Sequence, residues 1–156
     1  MRLPRVCLLL GLTLIVAAAL AQAKPNFSGD WKMIPSKSDF GMMPAPSSIV
    51  QKITHSEPEL KVVSTQVGDQ GDFTITSSYT TDGKECTNKF REFERKSTLK
   101  WDGDTLQIES KMEFGGNPVT ISEKWNLSED GKALTISRHF VSSQGEGDAK
   151  VVLEKQ

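Results

Sequence analysis

The 156-residue chain balances 19 Lys and Arg against 20 Asp and Glu, for a formal net charge of −1. That balance excludes a broad phosphate-neutralising face, so no nucleic-acid partner is expected. Hydrophobic residues make up 37 % of the chain, enough for one core, and the single long apolar run sits at the N-terminus.

That run is the first element. Arg2 and Arg5 precede an almost wholly apolar stretch from Val6 to Leu20, and Ala21-Gln22-Ala23 has the small-x-small form of an export cleavage site. The stretch falls short of the roughly 20 residues a transmembrane helix needs. Residues 1–23 are therefore expected to be a signal peptide. Residues 24–156 then form one exported domain, secreted or periplasmic, with no membrane span. Removing the leader takes Cys7 with it and leaves Cys86 alone, so no intrachain disulfide can staple the fold. A lone exported cysteine is either a reactive thiol, a crosslink, or a small buried hydrophobe.

The mature chain opens on Phe27-Ser28-Gly29-Asp30-Trp31, the expected first strand. Residues 35–47 contain Pro35, Pro44 and Pro46, which exclude a pair of helices there. They read as an irregular loop carrying Phe40, Met42 and Met43, either a lid or a segment that tucks those side chains into the domain's end. Turn signals then recur at Pro58-Glu59, Gly68 to Gly71, Asp82-Gly83, Asp102-Gly103, Gly115-Gly116-Asn117, Asp130-Gly131 and Gly145 to Gly147. Between them apolar and polar residues alternate, as in Leu106, Ile108, Met112 and Phe114 against Gln107, Glu109, Lys111 and Glu113. Lys89 to Lys96, rich in Lys and Arg but interrupted by Glu92 and Glu94, reads as a solvated strand face. No segment has a sustained 3.6-residue period. The expected fold is all-β: a single antiparallel up-and-down meander of about eight to ten strands, closed into a barrel or clam because closure removes its edges.

Gly29-x-Trp31 at the start of the first strand resembles the lipocalin-superfamily signature, in which the glycine lets the strand bend and the tryptophan plugs one barrel end. The longer opening, with Pro35-Ser-Lys-Ser-Asp-Phe-Gly41, resembles uncharacterised small secreted bacterial lipocalin-like proteins. The resemblance implies a lipocalin-like (calycin-type) β-barrel and no particular activity. Two lipocalin features are missing: a Thr-Asp-x-x-Tyr second motif, and a helical pattern after the last strand.

Turn positions suggest registers. A two-residue Asp82-Gly83 turn places Tyr79 opposite Cys86 and Ile75 opposite Phe90. An Asp102-Gly103 turn pairs Leu99 with Leu106. Leu127 opposite Leu134 brings Glu123 to Arg138, and Phe114 opposite Val119 brings Ser110 to Glu123. An inward polar row Ser110–Glu123–Arg138 results, with Ser64 and Ser77 further round. Two readings stay open. In one, Glu123 satisfies Arg138 and the barrel is a structural or interaction module filled by its own side chains. In the other, Arg138 also anchors the carboxylate or phosphate of a small, largely apolar ligand, and Trp31, Trp101, Trp125, Met112 and Phe114 line the cavity. Arg138-His139-Phe140 resembles the Arg-x-Tyr anchor of intracellular lipid-binding proteins, with phenylalanine in place of the tyrosine. His55 and His139 are the only histidines, His139 on the outward register, and no zinc spacing, nucleophile elbow or phosphate loop occurs. No catalytic residue, metal or cofactor is expected, and the partner is a small hydrophobic or amphipathic molecule.

Overall fold

The computed structural model describes residues 23–69 and 71–156, so the expected leader, apart from its last residue, lies outside the described residues. Ten strands follow in order: β1 (Gly29–Met33), β2 (Ser48–Ser56), β3 (Glu59–Val67), β4 (Phe73–Thr80), β5 (Glu85–Phe90), β6 (Phe93–Asp102), β7 (Thr105–Phe114), β8 (Asn117–Leu127), β9 (Ala133–Ser142) and β10 (Gly145–Lys155). They form one antiparallel sheet in the order β4-β3-β2-β1-β10-β9-β8-β7-β6-β5, rolled into a nearly closed barrel. The lipocalin-like meander read from the sequence is thus the observed fold. Between β1 and β2 stands a single three-residue 3-10 turn, Pro35–Lys37, where the prolines forbid anything longer.

One end of the barrel is shut by aromatic packing. Gly29 takes φ of 141°, and a Cβ there would lie 2.6 Å from the Lys155 side chain, whose ammonium sits 5.4 Å over the Trp31 ring. Trp31 is fully buried and donates its indole N–H to the Phe27 carbonyl at 2.9 Å. Phe27, equally buried, is stacked by His55 and Trp101 at 5.6 and 5.7 Å and met edge-on by Trp125 at 5.7 Å. His55 is buried; its Nδ1 accepts the Phe27 backbone N–H at 3.2 Å while Nε2 meets Glu57 at 2.7 Å. Glu57 also receives Trp101 Nε1 at 3.0 Å and the Thr81 hydroxyl at 2.5 Å. Desolvation pushes the Glu57 carboxyl upward, but the hydrogen bonds from Thr81, His55 and Trp101 outweigh it and hold the group below its ordinary value.

The registers correct several expectations. Leu127 does face Leu134, and Glu123 does face Arg138. The β6–β7 turn, however, is Gly103-Asp104, so Leu99 faces Ile108 and Trp101 faces Leu106. The β7–β8 turn is Gly115-Gly116, with Phe114 opposite Asn117 and Met112 opposite Val119. Ser110 therefore faces Ile121 rather than Glu123, although the two-residue shift keeps it on the inner face. The solvated run from Lys89 to Lys96 contains a turn without glycine: Arg91 takes φ of 54°, stacks over Phe73 and Phe90, and lets Phe90 pair with Phe93. Gly145 to Gly147 open β10, the turn before them being Ser143-Gln144.

The hairpin expected at Asp82-Gly83 does not form a backbone ladder. β4 and β5 are the sheet's two edges, and side chains join them. The Asn88 amide donates to the Ser78 carbonyl at 2.9 Å and accepts the Ser78 N–H at 2.7 Å, standing in for one rung. The Thr80 N–H donates to the Cys86 sulfur at 3.2 Å. Cys86, neither crosslinked nor deeply buried, belongs to this seam.

Two outcomes follow at the shut end. Phe27→Ala should cost about 3–5 kcal/mol, the usual range for a fully buried phenylalanine, read as a lower urea midpoint. Because the Glu57 pKa is depressed on folding, its contribution is complete above 4.5 and disappears as pH falls through the folded value. The unfolding midpoint should decline with acid below 4.5, and decline less steeply in Glu57→Gln.

Candidate functional site

Alternation sends Gln51, Ser64, Ser77, Ser97 and Ser110 to the inner face at mid-height, and all five are buried. Together with Arg95, Glu123 and Arg138 they make a polar belt round the barrel. Below it the interior is filled: Ile53, Leu60, Leu99, Leu106, Ile136 and Leu134 are each 3 % exposed or less. Above it the inward apolar side chains of β4 to β9 are only half-buried, among them Phe73, Ile75, Phe93, Met112, Ile121 and Phe140. The barrel is a cup with a solid base.

Within the belt, Arg138 places Nε and Nη2 on one Glu123 oxygen, each at 2.5 Å, with the two side chains 28 % and 10 % exposed. Its guanidinium also lies 5.7 Å from the Phe140 ring. Ser110, expected in the same row, instead shares a 2.8 Å hydrogen bond with Ser97. Arg95 was not anticipated, because the charges around it disguised the alternation Phe93, Arg95, Ser97, Leu99, Trp101. Its Nη2 donates to Ser77 Oγ at 3.0 Å and to the Tyr79 hydroxyl, reaching past β5 to brace the seam from inside. Burial raises the Tyr79 pKa; Arg95 pulls it down, Glu123 pushes it up and Arg138 pulls it down, so all three charges face this phenol across the interior. Gln51 Oε1, Ser64 Oγ and Arg95 Nε are buried without a hydrogen-bond partner among the described residues.

The cup opens at the end opposite Phe27. A cavity of about 470 Å³ lies at its rim, between the 35–47 loop and the β7–β8 and β9–β10 turns, lined by Phe40, Met43, Phe114, Phe140, Gln144 and Gly147 among others. Gly147 makes room, since a Cβ on it would meet no atom within 4 Å. Met112 and Phe114, both expected in a cavity wall, stand at this end, with Phe114 58 % exposed. Trp31, Trp101 and Trp125 do not; they pack round Phe27 at the shut end, where the indoles have filled the space a ligand would need. The 35–47 loop is pinned rather than hinged at its centre. Asp39 and Lys150 exchange backbone hydrogen bonds of 2.7 and 2.6 Å, and a Cβ on Gly41 would lie 2.7 Å from the Asp148 carbonyl. It tucks Phe40 against the core and leaves Met42 fully exposed.

A second concavity, of about 740 Å³, crosses the outside of β6 to β10. Its walls are two outward ladders, Lys100, Gln107, Lys124 and Lys150 on one side and Glu109, Ser122, His139 and Asp148 on the other. Glu123 and Arg138 supply only its floor, since their side chains turn inward. His139 is outward as expected, 2.8 Å from Asp148. Ser122 stands opposite it without a hydrogen bond between them, so the row lacks the contact that would activate a nucleophile.

No protein-family model and no curated protein matches the sequence. Solved structures do. Secretory abundant heat soluble protein 4 from Ramazzottius varieornatus aligns at a TM-score of 0.59 and 15 % identity, over 87 % of this chain and 99 % of that one. Zebrafish ileal bile acid-binding protein, complexed with cholic acid, aligns at 0.56 and 16 %, over 83 % and 98 %. A Schistosoma mansoni fatty acid binding protein in complex with arachidonic acid aligns at 0.52 and 10 %, over 83 % and 96 %. Likeness at such identities establishes the fold, a lipocalin-like β-barrel.

The belt's ion pair can be tested by a double-mutant cycle. Arg138→Met should destabilise by about 3 kcal/mol, because Glu123 is left buried and unpaired. Glu123→Leu combined with Arg138→Met should recover most of that loss in the same urea titration.

Proposed function

We propose that this chain is an exported, non-catalytic binding protein that holds one small, largely apolar amphiphile in the upper half of its barrel. The observation that carries this reading is the break in burial at the polar belt on β4 to β9: solid packing below and half-buried apolar side chains above, while Met33 and Ile49 stay buried on β1 and β2. The mouth cavity of about 470 Å³ falls in the range of about 300–1,000 Å³ typical of ligand sites. A filled barrel describes the lower half alone. The bile acid and fatty acid in the complexes named above are amphiphiles of the proposed kind. Export, secreted or periplasmic, rests on the leader pattern of residues 1–23.

Gly147→Leu fills the cavity at a position with no positive φ and no neighbour to displace. It should abolish binding of dodecanol while leaving the melting temperature unchanged or raised. Unaltered binding would place the ligand elsewhere.

A further inference from the structure

We propose that Arg95, not Arg138, is the anion anchor of the cup, and that its ligand is an acyl amphiphile whose single negative charge is accompanied by a neutral hydrogen-bonding group. The inference deepens the binding role proposed above and rests on it.

The two interior guanidiniums differ in what already neutralises them. Arg138 is compensated by Glu123, and a second anion beside that carboxylate would meet a like charge. Arg95 has no carboxylate within 4 Å among the described residues. Its hydrogen bonds go to the neutral oxygens of Ser77 and Tyr79, both through Nη2, and Nε is buried without a partner. The belt therefore carries one uncompensated positive charge whose Nη1 makes no hydrogen bond among the described residues, a charged donor open to one oxygen of a carboxylate or a sulfate. Among the described residues of the belt one such charge is present, which matches a ligand carrying a single negative charge.

The neutral group follows from the neighbours. Gln51 stands directly opposite Ser64 across β2 and β3, and Ser64 is diagonal to Ser77, the Arg95 partner. Gln51 and Ser64 are each 8 % exposed, and each has a side-chain oxygen without a hydrogen bond. An arc Gln51–Ser64–Ser77–Arg95 thus runs along one wall with unmet polar atoms beyond the cation. An amide or hydroxyl a few bonds from the charge would satisfy them. The acyl chain then points to the mouth, among Phe73, Ile75, Phe93 and Phe140.

Calorimetric titration with dodecanol, dodecanoate and N-dodecanoylglycine tests this. The wild-type protein should bind all three, N-dodecanoylglycine most tightly. Arg95→Met should weaken dodecanoate by about tenfold or more, and dodecanol by less than about twofold. Arg95→Lys should restore part of the loss. Gln51→Leu with Ser64→Ala should erase only the advantage of N-dodecanoylglycine over dodecanoate. Glu123→Leu with Arg138→Met should leave dodecanoate bound. Tyr79, the chain's one tyrosine, gives a readout that needs no variant. Bound dodecanoate should offset Arg95 and move phenol ionisation to higher pH, whereas dodecanol should not. Dodecanoate bound with Tyr79 unmoved, or lost in the Glu123–Arg138 double variant but not in Arg95→Met, overturns the assignment. Equal binding of N-dodecanoylglycine and dodecanoate overturns the accompanying neutral group. Failure to bind any of the three overturns the binding role itself.

Discussion

A rolled ten-strand meander must bring its first and last hydrogen-bonding edges together, and here β4 and β5 meet without a ladder. Exposed strand edges invite pairing with other chains. Asn88 meets that hazard by presenting its amide to both backbone groups of Ser78, a local imitation of the missing rung. Arg95 adds a second brace from inside, through Ser77 and Tyr79. Ser77 and Arg95 thus join the seam to the belt. A barrel stitched by side chains needs polar groups at the seam, and Arg95 with Ser77 supplies them from inside at mid-height.

The belt then divides the interior. Desolvating Glu123 and Arg138 is tolerable only as a pair, and the serines are tolerable where they find one another, as Ser97 and Ser110 do. Apolar side chains below the belt can pack to closure because Phe27 and its aromatic neighbours seal that end. Above it the apolar side chains of β4 to β9 are left half-buried, and Gly147 withholds a side chain that would narrow the mouth.

Much of this was legible in the sequence. The meander and the Glu123–Arg138 pair follow from period-two patterning and from the Ser128–Ala133 connection, where the register is fixed by Leu127 and Leu134, and the shut end is what the resemblance of Gly29-x-Trp31 to the lipocalin signature implies. What was not legible has physical causes. Gly103 can occupy either turn position, so its hairpin slid by two residues, and Gly115-Gly116 did the same for Ser110. Arg91 adopts a left-handed conformation without the glycine that normally announces one, which hid the β5–β6 turn and with it the inward Arg95. Composition alone places Trp31, Trp101 and Trp125 in a cavity wall, because large aromatics suit ligands. In this barrel they suit the base better, since Phe27 offers them a ring to pack on.

The solid base has a consequence for how such a chain can change over generations. Stability is concentrated in residues packed below the belt, while the rim is built from turn tips and half-buried side chains on five connections. Under the proposed binding role, rim substitutions therefore redirect what is held without drawing on the reserve that keeps the chain folded. Divergence should run fastest at the mouth and slowest round Phe27.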